Sequence, residues 1–248
     1  MRVPPAFSAL AKSRGNGRNG SVPSGTTILF SVGGESYSAS PNPWPFLSSP
    51  AAAKAMAAEV AKWPSMHGCD GIDFDLETGA GDAAGAGENA WIFFTELRRL
   101  NPSILITQPV FGYPQVGEEN YAVNHGWTKI GTWLGGPNTV GIMVYQGTES
   151  LQWVKNYANA TSQWQGFPIQ VNVPTRSILV GACGCGAAKD IMALAQAIVS
   201  QNLGGIMVWF ASALNKATGK PAIQYGTYDD ASYSVGSGWA QALALMHG

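Results

Sequence analysis

Within the eight residues Asp70-Gly71-Ile72-Asp73-Phe74-Asp75-Leu76-Glu77, the chain spends four of its 15 acidic residues. Asp73, Asp75 and Glu77 fall at every second position, the period of an extended strand whose two faces meet different surroundings. The three carboxylates therefore share one face. Ile72, Phe74 and Leu76 share the other, which protein must cover. Asp is a poor strand former, so two at this spacing work against local propensity, and such departures mark functional sites. A row of carboxylates can hold a hard cation or manage a proton. A cation loop draws further oxygen ligands from around a glycine turn, and the EF-hand spacing is absent, so acid chemistry is the stronger reading and no metal is expected.

The elements that must carry this row recur along the chain. Apolar strand-like runs occupy 27–32, 71–77, 104–110, 140–145, 169–173 and 205–210. Helical patterns lie between them: one opens at Ser49-Pro50 and runs to Trp63 before Pro64, and others cover 88–100, part of 120–134, 149–158, 187–201 and 239–246. Alternation of this kind predicts a parallel sheet with helices outside it, either doubly wound or closed as a (β/α) barrel. No Gly-rich phosphate fingerprint opens the first helix. The acidic face favours the barrel, because inward positions near its top hold polar groups and the carboxyl ends of its strands carry the chemistry. Glu77, last in the row, sits at such an end.

At these residues the chain resembles glycoside hydrolase family 18, the chitinases and related endo-β-N-acetylglucosaminidases. DGIDFDLE fits that family's DGxDxDxE signature, and SVGG at residues 31–34 looks like its SxGG segment on the third barrel strand. MVYQ at 143–146 is similar to the Met-x-Tyr-Asp/Asn segment of the sixth strand, and MVWF at 207–210 resembles the eighth strand with its Trp. The resemblance implies that Glu77 is the general acid, that Asp75 orients the substrate's 2-acetamido group, and that Asp73 lies behind Asp75, hydrogen-bonded to Ser31. It further implies that Tyr145 donates its hydroxyl to the acetamido oxygen and that Trp209 floors the cleavage site. Gly33, Met143, Gln146 and Met207 belong to the matching segments and are expected to line the substrate. Gln108 and Pro109, at the end of their strand, and Trp44, a stacking candidate in a Pro-rich loop, are weaker additions. The implied reaction is retaining, substrate-assisted hydrolysis of β-1,4-linked N-acetylglucosamine in chitin or its oligosaccharides, without a cofactor. The alternatives are an endo-β-N-acetylglucosaminidase acting on N-glycans and a non-catalytic glycan-binding relative. Independently of the family, a general acid must keep its proton near neutrality, and neighbouring carboxylates raise the pKa of Glu77.

Composition excludes other classes. With 14 basic and 15 acidic residues in 248, there is no basic field for nucleic acid and no polybasic stretch for a membrane surface. Cys69, Cys183 and Cys185 make no disulfide framework, and a lone C-x-C is weak evidence for zinc. Nine Trp and eight Tyr exceed what a core of this size needs, and exposed aromatic faces suit sugars, although each Trp by itself is more often core filler. Residues 1–26 are rich in Gly, Arg and Ser and lack the apolar centre of a signal peptide, so a secreted full-length form rests on the family resemblance alone.

Two departures from the family pattern stand out. Gln146 replaces the usual Asp or Asn after the sixth-strand Tyr, which, compared with Asp, removes a negative charge that the family pattern puts near the acid. Only 26 residues precede Thr27, and residues 7–12 read as the helix following a second strand. The expected organisation is thus an N-terminal segment, 1–26, and a catalytic (β/α) TIM-type barrel, 27–248, supplying strands three to eight and lacking the first two.

Overall fold

The structure, a computed structural model, describes residues 5–15, 22–23, 25–34, 44–75, 86–110, 112, 138–145, 147–158, 160–164, 167–171, 173–183, 188–209 and 245–246. The N-terminal segment forms helix α1 (Pro5–Lys12) and a two-residue parallel pair, β1 (Arg14–Gly15) with β2 (Val22–Pro23). The main sheet begins with β3 (Leu29–Gly33). Helices α2 (Pro50–Val60) and α3 (Trp63–His67) lead to β4 (Gly71–Asp75), and α4 (Ala86–Leu100) leads on to β5 (Leu105–Val110). Then come β6 (Asn138–Ile142), helix α5 (Val154–Ala158), β7 (Ala160–Trp164), β8 (Phe167–Val171), β9 (Ile178–Cys183), α6 (Ala188–Gln201) and β10 (Gly205–Trp209).

Six of these strands form one sheet in the order β10-β9-β6-β5-β4-β3, every pair parallel. Parallel pairing sends all six carboxyl ends to one edge, where Gly33, Asp75 and Trp209 end their strands. Among the described residues, β3 and β10 are the end strands of this sheet. Five of the six expected strands lie in this sheet. The sixth expectation, 169–173, is corrected: Phe167–Val171 is a hairpin partner of β7, and the sheet strand is β9. Both runs are apolar and of similar length, so periodicity could not choose between them. Only two residues separate Trp164 from Phe167 in the sequence, the loop length of a tight hairpin.

One face of the sheet is sealed by helices. Ala53, Ala57 and Val60 on α2, spaced four and three apart, are buried, as are Ala90, Phe93, Phe94 and Leu97 on α4. Helix α2 starts as its sequence predicts: Ser49 is extended and its hydroxyl accepts from Ala52 N at 3.1 Å, with Pro50 at the first helical position. Pro64 does not act as a stop. It occupies the first turn of α3, which ends at Gly68 in the left-handed conformation (φ 77°) and so turns the chain into β4. The 149–158 pattern resolves into a 3-10 turn, Gly147–Trp153, followed by α5. The predicted helix within 120–134 lies outside the described residues, and of the one at 239–246 only 245–246 are described. Among the described residues, no helix is long and apolar enough to cross a membrane.

Candidate active site

Strand β4 is held from its apolar side. Phe74 is fully buried and meets Phe93 edge-on at 4.7 Å and Phe94 at 5.5 Å, with Phe46 at 6.0 Å. Aromatic pairs in this geometry add to the roughly 1.5–3 kcal/mol of burying one such ring. Because side chains alternate, anchoring Phe74 and Ile72 among the helices commits Asp73 and Asp75 to the opposite face, where both are only half-buried. Asp70, which is out of phase with that row, does structural work at the start of the strand. Its carboxylate accepts from Ile28 N at 2.7 Å, its own N–H donates to Ile28 O at 2.7 Å, and its carbonyl accepts from Leu105 N at 3.1 Å. One residue thereby fixes the register of β3 and β5 on β4.

That register aligns the two motifs: Ser31 pairs with Asp73 and Gly33 with Asp75. The Ser31 hydroxyl donates to Asp73 Oδ2 at 2.8 Å, the hydrogen bond that the family resemblance implies. From the other side the Thr107 hydroxyl, in register on β5, donates to Asp73 Oδ1. Burial pushes the Asp73 carboxyl above its ordinary range, and the two hydroxyl donors, which favour the charged form, only partly oppose it. Gly33 has φ 118°, and a Cβ there would run into the Asp75 backbone and the ring of Trp44. Gly34 N donates to Asp75 O at 2.9 Å, which ties the end of β3 to the site.

The same face of the other strands is differently built. The ring of Tyr145, three residues past the end of β6, lies over Gly181 on β9, where a Cβ would come within 3.0 Å of it. Met207 on β10 pairs with Gly181 and reaches across to Gly141 on β6. Met143 N donates to Val110 O at 2.7 Å, extending the β5–β6 pairing beyond the strand end. Tyr145, Met143 and Met207 are all half-buried.

Two expected site residues are corrected. Trp44 is 3% exposed, packs edge-on against Phe46 at 6.1 Å and abuts Gly33, so it wedges the end of β3 and offers no open ring face. Gln108 pairs with Val140 and alternates with Thr107, which puts it with Ile106 and Val110 on the helix-covered face, 3% exposed. Pro109, one residue on, is on the Asp73 side of the pleat. Glu77 and Gln146 lie outside the described residues, and for Trp209 only the backbone is described, in register with Cys183. Thr107 escaped the sequence reading, because a lone Thr in an apolar strand gains meaning only once the β4–β5 register is known. Among the described residues, no group of His, Cys, Asp and Glu could hold a metal ion, and Cys69 is buried in the core.

No protein-family model matches the sequence, and no curated protein matches it. Solved structures do. The chain is similar to the crystal structure of a GH18 chitinase from Pseudoalteromonas aurantia, with TM-score 0.57 and 19% identity over 90% of this chain and 77% of that one. The fold is that of the GH18 chitinases. A second GH18 chitinase, ChiB from the chitin utilization locus of Flavobacterium johnsoniae, aligns with TM-score 0.51 and 18% identity over 74% of this chain and 68% of its own. In this GH18-like fold the SVGG and DGIDFD segments contribute adjacent strands, and Ser31, Asp73 and Asp75 share a face.

Proposed function

We propose that the protein is a chitinase-like glycoside hydrolase that cleaves β-1,4-linked N-acetylglucosamine with retention of configuration, its six sheet strands being consecutive strands of a (β/α) barrel. The observation that carries this reading is the seat of β3 on β4: Ser31 bonded to Asp73, and Gly33 fitted against Asp75, on the face turned from the helices. In this reading the sequence alternation of Asp73, Asp75 and Glu77 gives the acid the same side as the two aspartates. In the proposed reaction Glu77 protonates the glycosidic oxygen as the bond to the anomeric carbon breaks. The substrate's acetamido carbonyl oxygen attacks that carbon from within the same sugar, so the nucleophile is not a protein carboxylate. Asp75 stabilises the positive charge that develops on the acetamido group, Tyr145 donates to its oxygen, and Trp209 supports the ring. Water then opens the cyclic intermediate, returns a proton to Glu77 and leaves the original configuration. Holding the acetamido oxygen in attack geometry replaces an intermolecular step by an intramolecular one. The proposed setting is extracellular, where a chitin polymer would be met.

The test is hydrolysis of a fluorogenic chito-oligosaccharide by the purified chain, with Glu77→Gln as the paired control. The expected result is activity that falls by about 10²–10⁴-fold in the variant, the usual contribution of a general acid. A folded, inactive wild-type chain would refute the reading and favour a glycan-binding protein instead.

A further inference from the structure

Asp73 is gripped from both sides. Its Oδ2 takes the Ser31 hydroxyl from β3 and its Oδ1 takes the Thr107 hydroxyl from β5, so each carboxyl oxygen is committed to a different neighbouring strand. The three residues stand in one row of the register. Neither β3 (LFSVG) nor β5 (LITQPV) carries a charged residue, so those strands bring only hydroxyls to Asp73. Among the described residues of its own strand, Asp75 shares its face two positions on, while Asp70, just before the strand, is turned to Ile28. The row continues to Thr139 on β6, in register with Thr107, whose hydroxyl is buried without a partner among the described residues.

We infer that Thr107 is a positioning residue of the proposed hydrolysis: its hydroxyl, acting against that of Ser31, locks the plane and sets the proton affinity of the Asp73 carboxyl, which shares its face of β4 with Asp75. Rotation of the carboxyl would break both bonds at once, and the surrounding apolar strand offers no replacement on the β5 side. A donor to a carboxylate favours its charged form, so losing Thr107 tightens the proton on Asp73. Ser31 alone cannot hold the plane, because a single bond leaves the carboxyl free to pivot. This inference rests on the reading of the site as a family-18-type hydrolase, but its first readout does not.

The experiment follows the Asp side-chain carboxyl carbons by NMR across pH in the full chain, with Asp73 assigned from the Asp73→Asn spectrum. In Thr107→Val, which keeps the shape and removes the hydroxyl, the Asp73 titration should move upward by about one pH unit, a tenfold change in proton affinity. Thr107→Ser should titrate like the wild type. Thr139→Val, which removes a hydroxyl not bonded to Asp73, should leave the titration in place. In hydrolysis, Thr107→Val should lower kcat roughly tenfold with KM little changed, shift the acid limb of the rate profile upward, and be rescued in Thr107→Ser. An Asp73 titration unmoved in Thr107→Val, or moved equally in Thr139→Val, overturns the inference whatever the kinetics. A shifted titration in a chain with no hydrolytic activity upholds the clamp and refutes the proposed function. If Thr107→Val does not fold, Thr107→Cys takes its place: it keeps the size but donates weakly, and it should shift Asp73 in the same direction, an unmoved titration again overturning the inference.

Discussion

Across β3, β4 and β5 the face turned from the helices carries hydroxyls and carboxylates at its middle: Ser31, Asp73, Asp75 and Thr107. Across β6, β9 and β10 the same face carries glycines, over which Met207 and the ring of Tyr145 lie. One half commits its polar atoms to each other by short-range bonds between strands. The other half removes side chains so that large ones can reach over the backbone. The proposed hydrolysis would call on both surfaces, one to move a proton and one to support a ring, and a single sheet supplies them by changing residue type along one face. Under the proposed function, substitutions in one half should leave the other's chemistry in place.

The largest effect should come from undercutting the polar half. Phe74→Ala removes the ring that commits Asp73 and Asp75 to their face, and a buried Phe replaced by Ala costs about 3–5 kcal/mol. Urea unfolding should show that loss, with activity falling alongside it. A milder change probes the glycine half by itself. In Gly181→Ala the new Cβ meets the Ile142 carbonyl and comes within 3.0 Å of the Tyr145 ring. Overpacking of that kind costs about 1–3 kcal/mol. Substrate turnover should drop while the Asp73 titration stays put, and a moved titration would break the separation of the two halves.

A third change reads the polar half through pH. Folding raises the pKa of Asp73, so between its unfolded value, about 3.9, and its higher folded value the folded state binds more protons than the unfolded state. Its contribution to stability is therefore most favourable below that window and is lost as pH rises through it. Asp73→Asn has no such proton to lose. Relative to wild type it should gain stability as pH rises through the window, by about 1.4 kcal/mol for each pH unit the window spans, and thermal unfolding at several pH values would measure the gain. A difference that is flat with pH would contradict the raised pKa. The mildest change is Gln146→Asp, which adds a negative charge at the position that the family resemblance puts near the proposed acid. The basic limb of the rate profile should rise by less than about one pH unit, under about 1.4 kcal/mol, and an unchanged or lowered limb would count against a nearby Glu77.

Much of the polar half is legible in the sequence, because its signal is local. Alternation alone puts Asp73 and Asp75 on one side of β4, and the Ser31–Asp73 bond follows from the resemblance of two short motifs. What a bond at a distance of 34 residues requires, as between Thr107 and Asp73, is register, and register is set by Asp70 and the β4–β5 pairing rather than by any pattern near Thr107. Gln108 misleads for a related reason. Its position near a strand end suggests a cleft, but its parity with Ile106 and Val110 turns it to the helices. Trp44 misleads through composition, since a Trp among prolines reads as a loop platform until Phe46 and Gly33 close around it. The run at 169–173 passes for the sheet strand because β9 follows it closely with a similar apolar pattern, and only pairing tells a hairpin arm from a sheet strand.

Substrate-assisted retention is tested most directly by the anomeric configuration of the first product, read by proton NMR within seconds to minutes of adding a chito-oligosaccharide to the purified protein. Attack by the substrate's own acetamido oxygen predicts that the β-anomer appears first and mutarotates afterwards. An initial α-anomer would rule that mechanism out.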